Sequence, residues 1–143
     1  MHLVILFISL LFSGVPIGWR TDLQQAEVEA KKYHKLILLN FSGSDWCGPC
    51  IKLEKDIFEN QAFQTYADQH LVLVNADFPR LKKNQLDPKQ KALNEKLAEE
   101  YNKAGAFPLT LLLDADGKVI MKWEGIPAKT ASNFISLLQT NSK

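Results

Sequence analysis

Cys47 and Cys50 are the only cysteines of the chain, and they stand three positions apart where a buried apolar run gives way to a helix. That placement restricts the fold more than any other feature. Leu36-Ile37-Leu38-Leu39-Asn40-Phe41 is short and nearly continuously apolar, the composition of a strand buried on both faces. Ser42-Gly43-Ser44-Asp45 breaks it. A helix is predicted to open near Cys47 and run to about Tyr66, with Ile51, Leu53, Ile57 and Phe58 packing inward. Leu71 to Ala76 reads as a second buried strand. A strand, a helix and a strand in that order imply a right-handed parallel crossover.

The flanking segments complete one α/β domain. Thr21 to Gln24 has capping-box spacing, and Leu23, Ala26, Ala30 and Tyr33 recur at helical intervals, which predicts a helix over 22–34. Residues 78–91 are polar and basic and read as a surface loop. Asp87-Pro88-Lys89-Gln90 then looks like a helix start, with Leu93, Leu97, Tyr101 and Ala104 as its inner face and Gly105 as its end. Leu109 to Leu113 and Val119 to Trp123 are predicted strands joined as an antiparallel hairpin by Asp114-Ala115-Asp116-Gly117. A closing helix is expected over 133–139. With 143 residues, 46% of them apolar, the chain can bury one core and not two. Lys+Arg of 17 against Asp+Glu of 16 offers no basic face, so nucleic acid is not an expected partner.

Every charged residue lies at or beyond Arg20, and Leu3 to Phe12 is apolar except for Ser9. That run is shorter than the ~20 residues of a spanning helix and suits the core of a signal peptide. Residues 1–18 are therefore expected to be a signal peptide or an N-terminal membrane anchor, and 19–143 the folded domain. A buried N-terminal strand or helix is the remaining alternative. No Lys or Arg precedes the apolar core, and cleavage is expected after Gly18. Export places the domain in the periplasm or another extracytoplasmic space, where disulfide chemistry is meaningful.

A cysteine at a helix N-terminus meets unpaired backbone N–H groups and the positive end of the helix dipole, which stabilise a thiolate. Cys47 is thus the candidate nucleophile, expected to be exposed. Cys50, one turn on and expected to be buried, is the candidate resolving thiol. Gly48 is read as permitting a tight turn and Pro49 as stiffening the first helical turn. Two alternatives stay open on the residues alone. Half a zinc site would need further ligands, and His34 and His70 form no pair at zinc-finger spacing. A purely structural disulfide would close so small a ring that it stabilises little.

Trp46-Cys47-Gly48-Pro49-Cys50, with the strand before it, the Phe107-Pro108 pair and the Asp116-Gly117 hairpin, resembles the thioredoxin superfamily over nearly the whole mature chain. Gly43-Ser44-Asp45-Trp46-Cys47, Asp77-Phe78-Pro79-Arg80 and the leader look like exported thioredoxin-like proteins of Bacteroidetes-type bacteria. The resemblance implies a thioredoxin-like fold, a central mixed sheet flanked by helices. It implies a cis peptide at Pro108 facing the cysteines, and a Phe107 backbone able to pair with a substrate strand. Trp46 would shield the site and contribute apolar contact surface; Trp19 and Trp123 are expected to pack in the core or at an edge.

The implied activity is thiol–disulfide oxidoreduction on protein substrates, in the reducing direction because Gly-Pro between the cysteines resembles reductases. A membrane electron-transfer protein would recycle the oxidised form. No metal or organic cofactor is implied, and a monomer is expected. A disulfide oxidase or isomerase, or a module that binds partners in its Phe107-Pro108 groove, are the alternatives. Two departures stand out. The loop before the motif is one residue longer than in cytosolic thioredoxins. Asn40 also takes the place of their buried Asp, whose partner Lys aligns with Leu73. With Asn40 unable to act as a base and Asp45 expected to face solvent, water or the departing thiolate is expected to take the Cys50 proton.

Overall fold

The structure, a computed structural model, describes residues 18–143. The expected leader, residues 1–18, lies almost wholly outside the described residues. Helix α1 spans Leu23–Tyr33, strand β1 Leu36–Ser42, helix α2 Gly48–Leu53, and α2 continues through a π-helical turn, Glu54–Phe58. Helix α3 (Gln61–His70), strand β2 (Leu71–Asp77), helix α4 (Pro88–Tyr101), strands β3 (Leu109–Leu113) and β4 (Val119–Glu124) and helix α5 (Ala131–Asn141) follow. The sheet order is β2-β1-β3-β4, with β1 parallel to β2 and antiparallel to β3, and β4 antiparallel to β3. This is the predicted mixed sheet, with both the crossover and the hairpin in place.

The near-continuous apolarity of β1 follows from its central position. Ile37, Leu39 and Phe41 face one core with Leu23, Ala26 and Ala30 of α1 and Leu97 of α4. Leu38 faces the other, with Leu53, Ile57, Phe58, Phe63, Phe134 and Leu138. Each large apolar side chain buried in this way contributes roughly 1.5–3 kcal/mol, so a polar residue in the strand requires a partner. Asn40, 4% exposed, has two. Its Oδ1 accepts from the Thr110 hydroxyl at 3.1 Å and its Nδ2 donates to Asn75 Oδ1 at 3.4 Å, across strands in which it is in register with both residues.

Several boundaries differ from the sequence reading. Asp22 caps α1, accepting from the N–H of Gln24 and Gln25, and Thr21 does not; a carboxylate one position on displaced the hydroxyl. The predicted long helix after Cys47 divides, because the Asn60 side chain accepts from Ala62 N–H and starts α3 anew. Ile51 is 50% exposed, since Cys50, Leu53 and Ile57 form the inward stripe. Helix α4 stops at Tyr101, so Ala104 lies outside it. Asn102 ends the helix by bracketing Ala106, donating to its carbonyl and accepting from its N–H, both at 2.9 Å. The inner face of α4 includes the buried Asn94, which donates to the Asp77 carbonyl at 2.9 Å.

Tyr101 donates to the carbonyl of Gly117 at 2.8 Å and so ties α4 to the β3–β4 turn. Burial, then the charges of Glu100 and Glu27, push its phenol up to about 12, which keeps it a neutral donor. Gly117 itself has φ 81°, and a Cβ there would stand 2.6 Å from Glu27 Oε1.

Candidate active site

The site lies beyond the C-terminal end of β1. Cys47 and Cys50 are joined as a disulfide. Cys47 is the N-cap of α2, in extended backbone (φ −95°, ψ 103°), and its Sγ accepts from the Cys50 N–H at 3.3 Å. Pro49 occupies the first turn, where the missing N–H costs nothing. The expected contrast in exposure is absent: Cys47 is 5% and Cys50 4% exposed. The Cys47 sulfur turns back over the first helical turn onto Cys50, which removes it from solvent in this oxidised form. The sulfurs differ in their donors instead. Cys50 Sγ receives the N–H of Gly43 at 3.5 Å, a backbone group of the preceding loop.

Gly43 is the residue the sequence reading passed over. It accepts from the N–H of Cys47 at 2.8 Å and of Trp46 at 3.2 Å, closing the turn into the motif. A Cβ on it would stand 2.3 Å from Cε2 of Trp46, so the indole lies where only glycine leaves room. At Gly48, by contrast, a Cβ would meet nothing within 4 Å, so the space around it does not demand glycine. The close approach is therefore at Gly43.

Trp46 is half-buried and held on three sides. Its Nε1 donates to the Phe78 carbonyl at 2.7 Å, its ring meets Phe107 edge-on at 5.4 Å, and the Arg80 guanidinium lies 3.6 Å from its centroid. Phe78 meets Phe107 at 5.5 Å, so the aromatic wall is continuous. The Phe107–Pro108 peptide is cis, as the resemblance implied, and the Pro108 carbonyl accepts from Gly125 N–H at 2.9 Å. Trp46, Phe107 and Pro108 thus come together beside the cysteines.

Two carboxylates lace this wall to the motif loop. Asp77 accepts from the N–H and hydroxyl of Ser44. Asp45 accepts from the N–H of Arg80 and Leu81, each at 2.9 Å, and from Asn84 Nδ2 at 3.0 Å. The Arg80 N–H above all, with Asn84 and Leu81, holds the Asp45 carboxyl below its usual range. Asp45 thus stays at the surface, as expected of a loop carboxylate, and its lone pairs are taken up by the 80–84 loop.

The other side of the disulfide is a cleft of about 450 Å³ lined by Cys50, Trp19, Ser42, Ser44, Asn75, Glu54 and Glu59, among others. Trp19 packs on Phe58 at 4.9 Å, as a core-edge aromatic, and also walls this cleft. Glu54 stands at the mouth, yet enough of its carboxyl is shielded that burial, helped by the nearby Glu59 charge, pushes it above the usual carboxylate range. The sequence offered no signal for Glu54, which looked like one more solvated helix residue. The residue in register with Asn40 on β2 is Asn75. Leu73 pairs with Leu38 and is buried in the core. Among the described residues, no group of three or more His, Cys, Asp or Glu has an arrangement that could hold a metal ion.

A four-stranded mixed sheet with a two-cysteine turn after its central strand, set beside a cis-proline loop, defines a thioredoxin-like domain. The chain belongs to that family: residues 23–141 match the family described as "Thioredoxin-like domain". Among curated proteins, it is 36% identical over 106 residues to "Disulfide bond reductase DsbH" of Chlamydia pneumoniae, covering 74% of this chain and 61% of that protein. It is 33% identical over 119 residues to "Thiol-disulfide oxidoreductase ResA" of Bacillus cereus, covering 76% and 66%. With "Thioredoxin-related protein DsbJ" of Chlamydia pneumoniae, the match covers 33% of that protein. The chain thus spans about a third to two thirds of the length of these curated relatives. The solved structure "DsbH Oxidoreductase" superposes with a TM-score of 0.77 at 32% identity, over 90% of this chain and 85% of that one.

Proposed function

We propose that the domain is a thiol–disulfide oxidoreductase that reduces disulfides of exported proteins through Cys47 and Cys50. The observation that carries the reading is the Cys47 sulfur at the start of α2, receiving the Cys50 N–H and bonded to the Cys50 sulfur. In the reduced protein the same N–H and the helix dipole favour a Cys47 thiolate. That thiolate attacks one sulfur of a client disulfide, forming a mixed disulfide and releasing the other client sulfur as a thiolate. Cys50, having lost its proton, attacks the Cys47 sulfur. The client leaves fully reduced and Cys47–Cys50 is oxidised. Two electrons have passed to the client, and a dithiol donor must return them.

Trp46, Phe107 and Pro108 form the surface on which the client strand lies in this reading. The similarity to a protein named as a disulfide bond reductase supports the reducing direction. The remaining parts of the proposal rest on the sequence. They are an exported, Bacteroidetes-type origin, residues 19–143 as the mature domain, a periplasmic location, a monomer, no added cofactor and a membrane electron-transfer partner. Among the described residues no helix is long and apolar enough to cross a membrane.

The test is insulin reduction by the purified domain together with the reduction potential of the Cys47–Cys50 couple. A value near about −270 mV with insulin turnover supports a reductase. A value near about −120 mV identifies an oxidase. Client binding with no turnover identifies a binding module.

A further inference from the structure

Disulfide exchange requires the two sulfurs and a place for the client backbone; it does not require a guanidinium stacked on the tryptophan beside the nucleophile. Arg80 is placed there by its backbone and its side chain together. Its N–H donates to Asp45 Oδ1, Leu81 N–H and Asn84 Nδ2 hold Asp45 Oδ2, and its guanidinium carbon lies 3.6 Å from the Trp46 centroid. Trp46 is fixed in turn by the Phe78 carbonyl and by Phe107. Arg80, Trp46 and Phe107 therefore form one continuous wall beside the disulfide.

The charge on that wall has no carboxylate partner within the domain. Asp45, the acidic neighbour, uses its oxygens on the backbone and amide donors of the 80–84 loop. The ion pairs among the described residues are Arg20–Glu29, Lys31–Asp116, Lys52–Asp56, Lys91–Glu95 and Lys122–Glu124, and none includes Arg80, Lys82 or Lys83. A guanidinium stacked by its face keeps its edge N–H donors free, in the planar fork that matches a carboxylate. On the far side of the disulfide the cleft carries Glu54 and Glu59 with Lys55. Three cations thus lie within four residues on the Trp46 side, where Asp45 and Asp77 spend their oxygens on loop donors, whereas two carboxylates face one Lys on the Cys50 side.

We propose that Arg80, stacked on Trp46, is a specificity residue that selects extended client segments carrying Asp or Glu beside the disulfide. The carboxylate meets the guanidinium edge while the client backbone lies along Phe107–Pro108, so the interaction also fixes which way the client runs past Cys47. This rests on the oxidoreductase reading above.

The test uses three synthetic peptides of one length, each with a disulfide flanked by Asp and Glu, by Lys, or by Ser. Their reduction by the protein is measured as kcat/KM, and the affinity of redox-inert versions with Ser in place of Cys is measured alongside. At low salt the acidic peptide is expected to be preferred over the basic one by about fivefold, a preference that shrinks as salt is raised. Arg80→Gln should bring the ratio near one, Arg80→Glu should invert it, and Arg80→Lys should keep part of it. Equal handling of acidic and basic peptides, or a preference that survives Arg80→Gln, overturns the proposal. Charge-selective binding without turnover of any peptide retains this proposal and sinks the redox reading. Turnover without charge selection does the reverse.

Discussion

On the Cys47 side of the disulfide the neighbours are aromatic, stacked and laced to the 78–84 loop; on the Cys50 side polar side chains, with Trp19 and Ile51, stand around an open cleft. Trp46 is fixed by Phe78, Arg80 and Phe107. The cleft beside Cys50 is bounded by Ser42, Ser44, Asn75 and Glu54. The sulfurs themselves are equally buried in this oxidised form, so what distinguishes them here is these surroundings. A packed wall suits holding a client against the attacking sulfur. A cleft lined by hydroxyls, an amide and the Glu54 and Glu59 carboxylates suits water, through which a proton can leave. Asp45 cannot serve as that base, being committed to the 80–84 loop.

Adding a buried carboxylate next to the cleft residue Asn75 is the strongest way to break this division. Asn40→Asp puts a carboxylate among Thr110, Asn75 and apolar core. Left without a cation, it should cost roughly 3–5 kcal/mol of stability near neutral pH. If water is the native acceptor, the same change should speed resolution of a preformed mixed disulfide. Asn75→Lys added to it should restore part of the stability, since Asn75 is in register with residue 40. Denaturant melts with stopped-flow resolution measure both halves. An unchanged resolving rate means the native route already supplies an adequate base.

Gly43→Ala attacks the packed side. The new Cβ would overlap the Trp46 ring, so the indole or the loop must shift, at roughly 1–3 kcal/mol. Client turnover should fall with it, because Trp46 leaves Phe107 and Arg80. Gly48→Ala is the control expected to melt close to the parent. Equal losses for the two would contradict the assignment of the close approach to Gly43.

The sheet, its order of strands and helices, and the disulfide site were legible because each rests on a local signal. The apolar run of β1, the capping Asp87 and the Asp-Gly hairpin are examples. What was not legible depends on contacts across the chain. Gly43 matters through an indole three residues on that folds back over it. Asn94 and Asn102 carry no local signal, yet one holds the end of β2 and the other the approach to Phe107–Pro108. The pairing of Asn40 with Asn75 was not legible because register cannot be counted from one strand alone. That the donors of the 80–84 loop converge on the surface carboxylate Asp45 was not legible, because nothing in a basic loop announces it.

Smaller effects follow from the two perturbed carboxyls. The donors on Asp45 favour its charged form, so its contribution is present above the unfolded carboxylate value and fades as pH falls through the lower folded one. Asp45→Asn should therefore be less stable than the parent at neutral pH and close to it in strong acid. Glu54 has the opposite sign. Its folded value is raised, so its contribution is complete below the unfolded value and is lost as pH rises through the folded one. Glu54→Gln should gain stability near neutral pH and match the parent below about pH 4. Melts across that range read both.

The division between the two sulfurs is tested most directly by trapping. Cys50→Ser and Cys47→Ser variants are each reduced, mixed with a disulfide-containing client and quenched with acid, and the mixed disulfides are counted on non-reducing gels. The Cys50→Ser protein is expected to accumulate mixed disulfides through Cys47, and the Cys47→Ser protein to accumulate almost none. Equal trapping by the two would contradict the account.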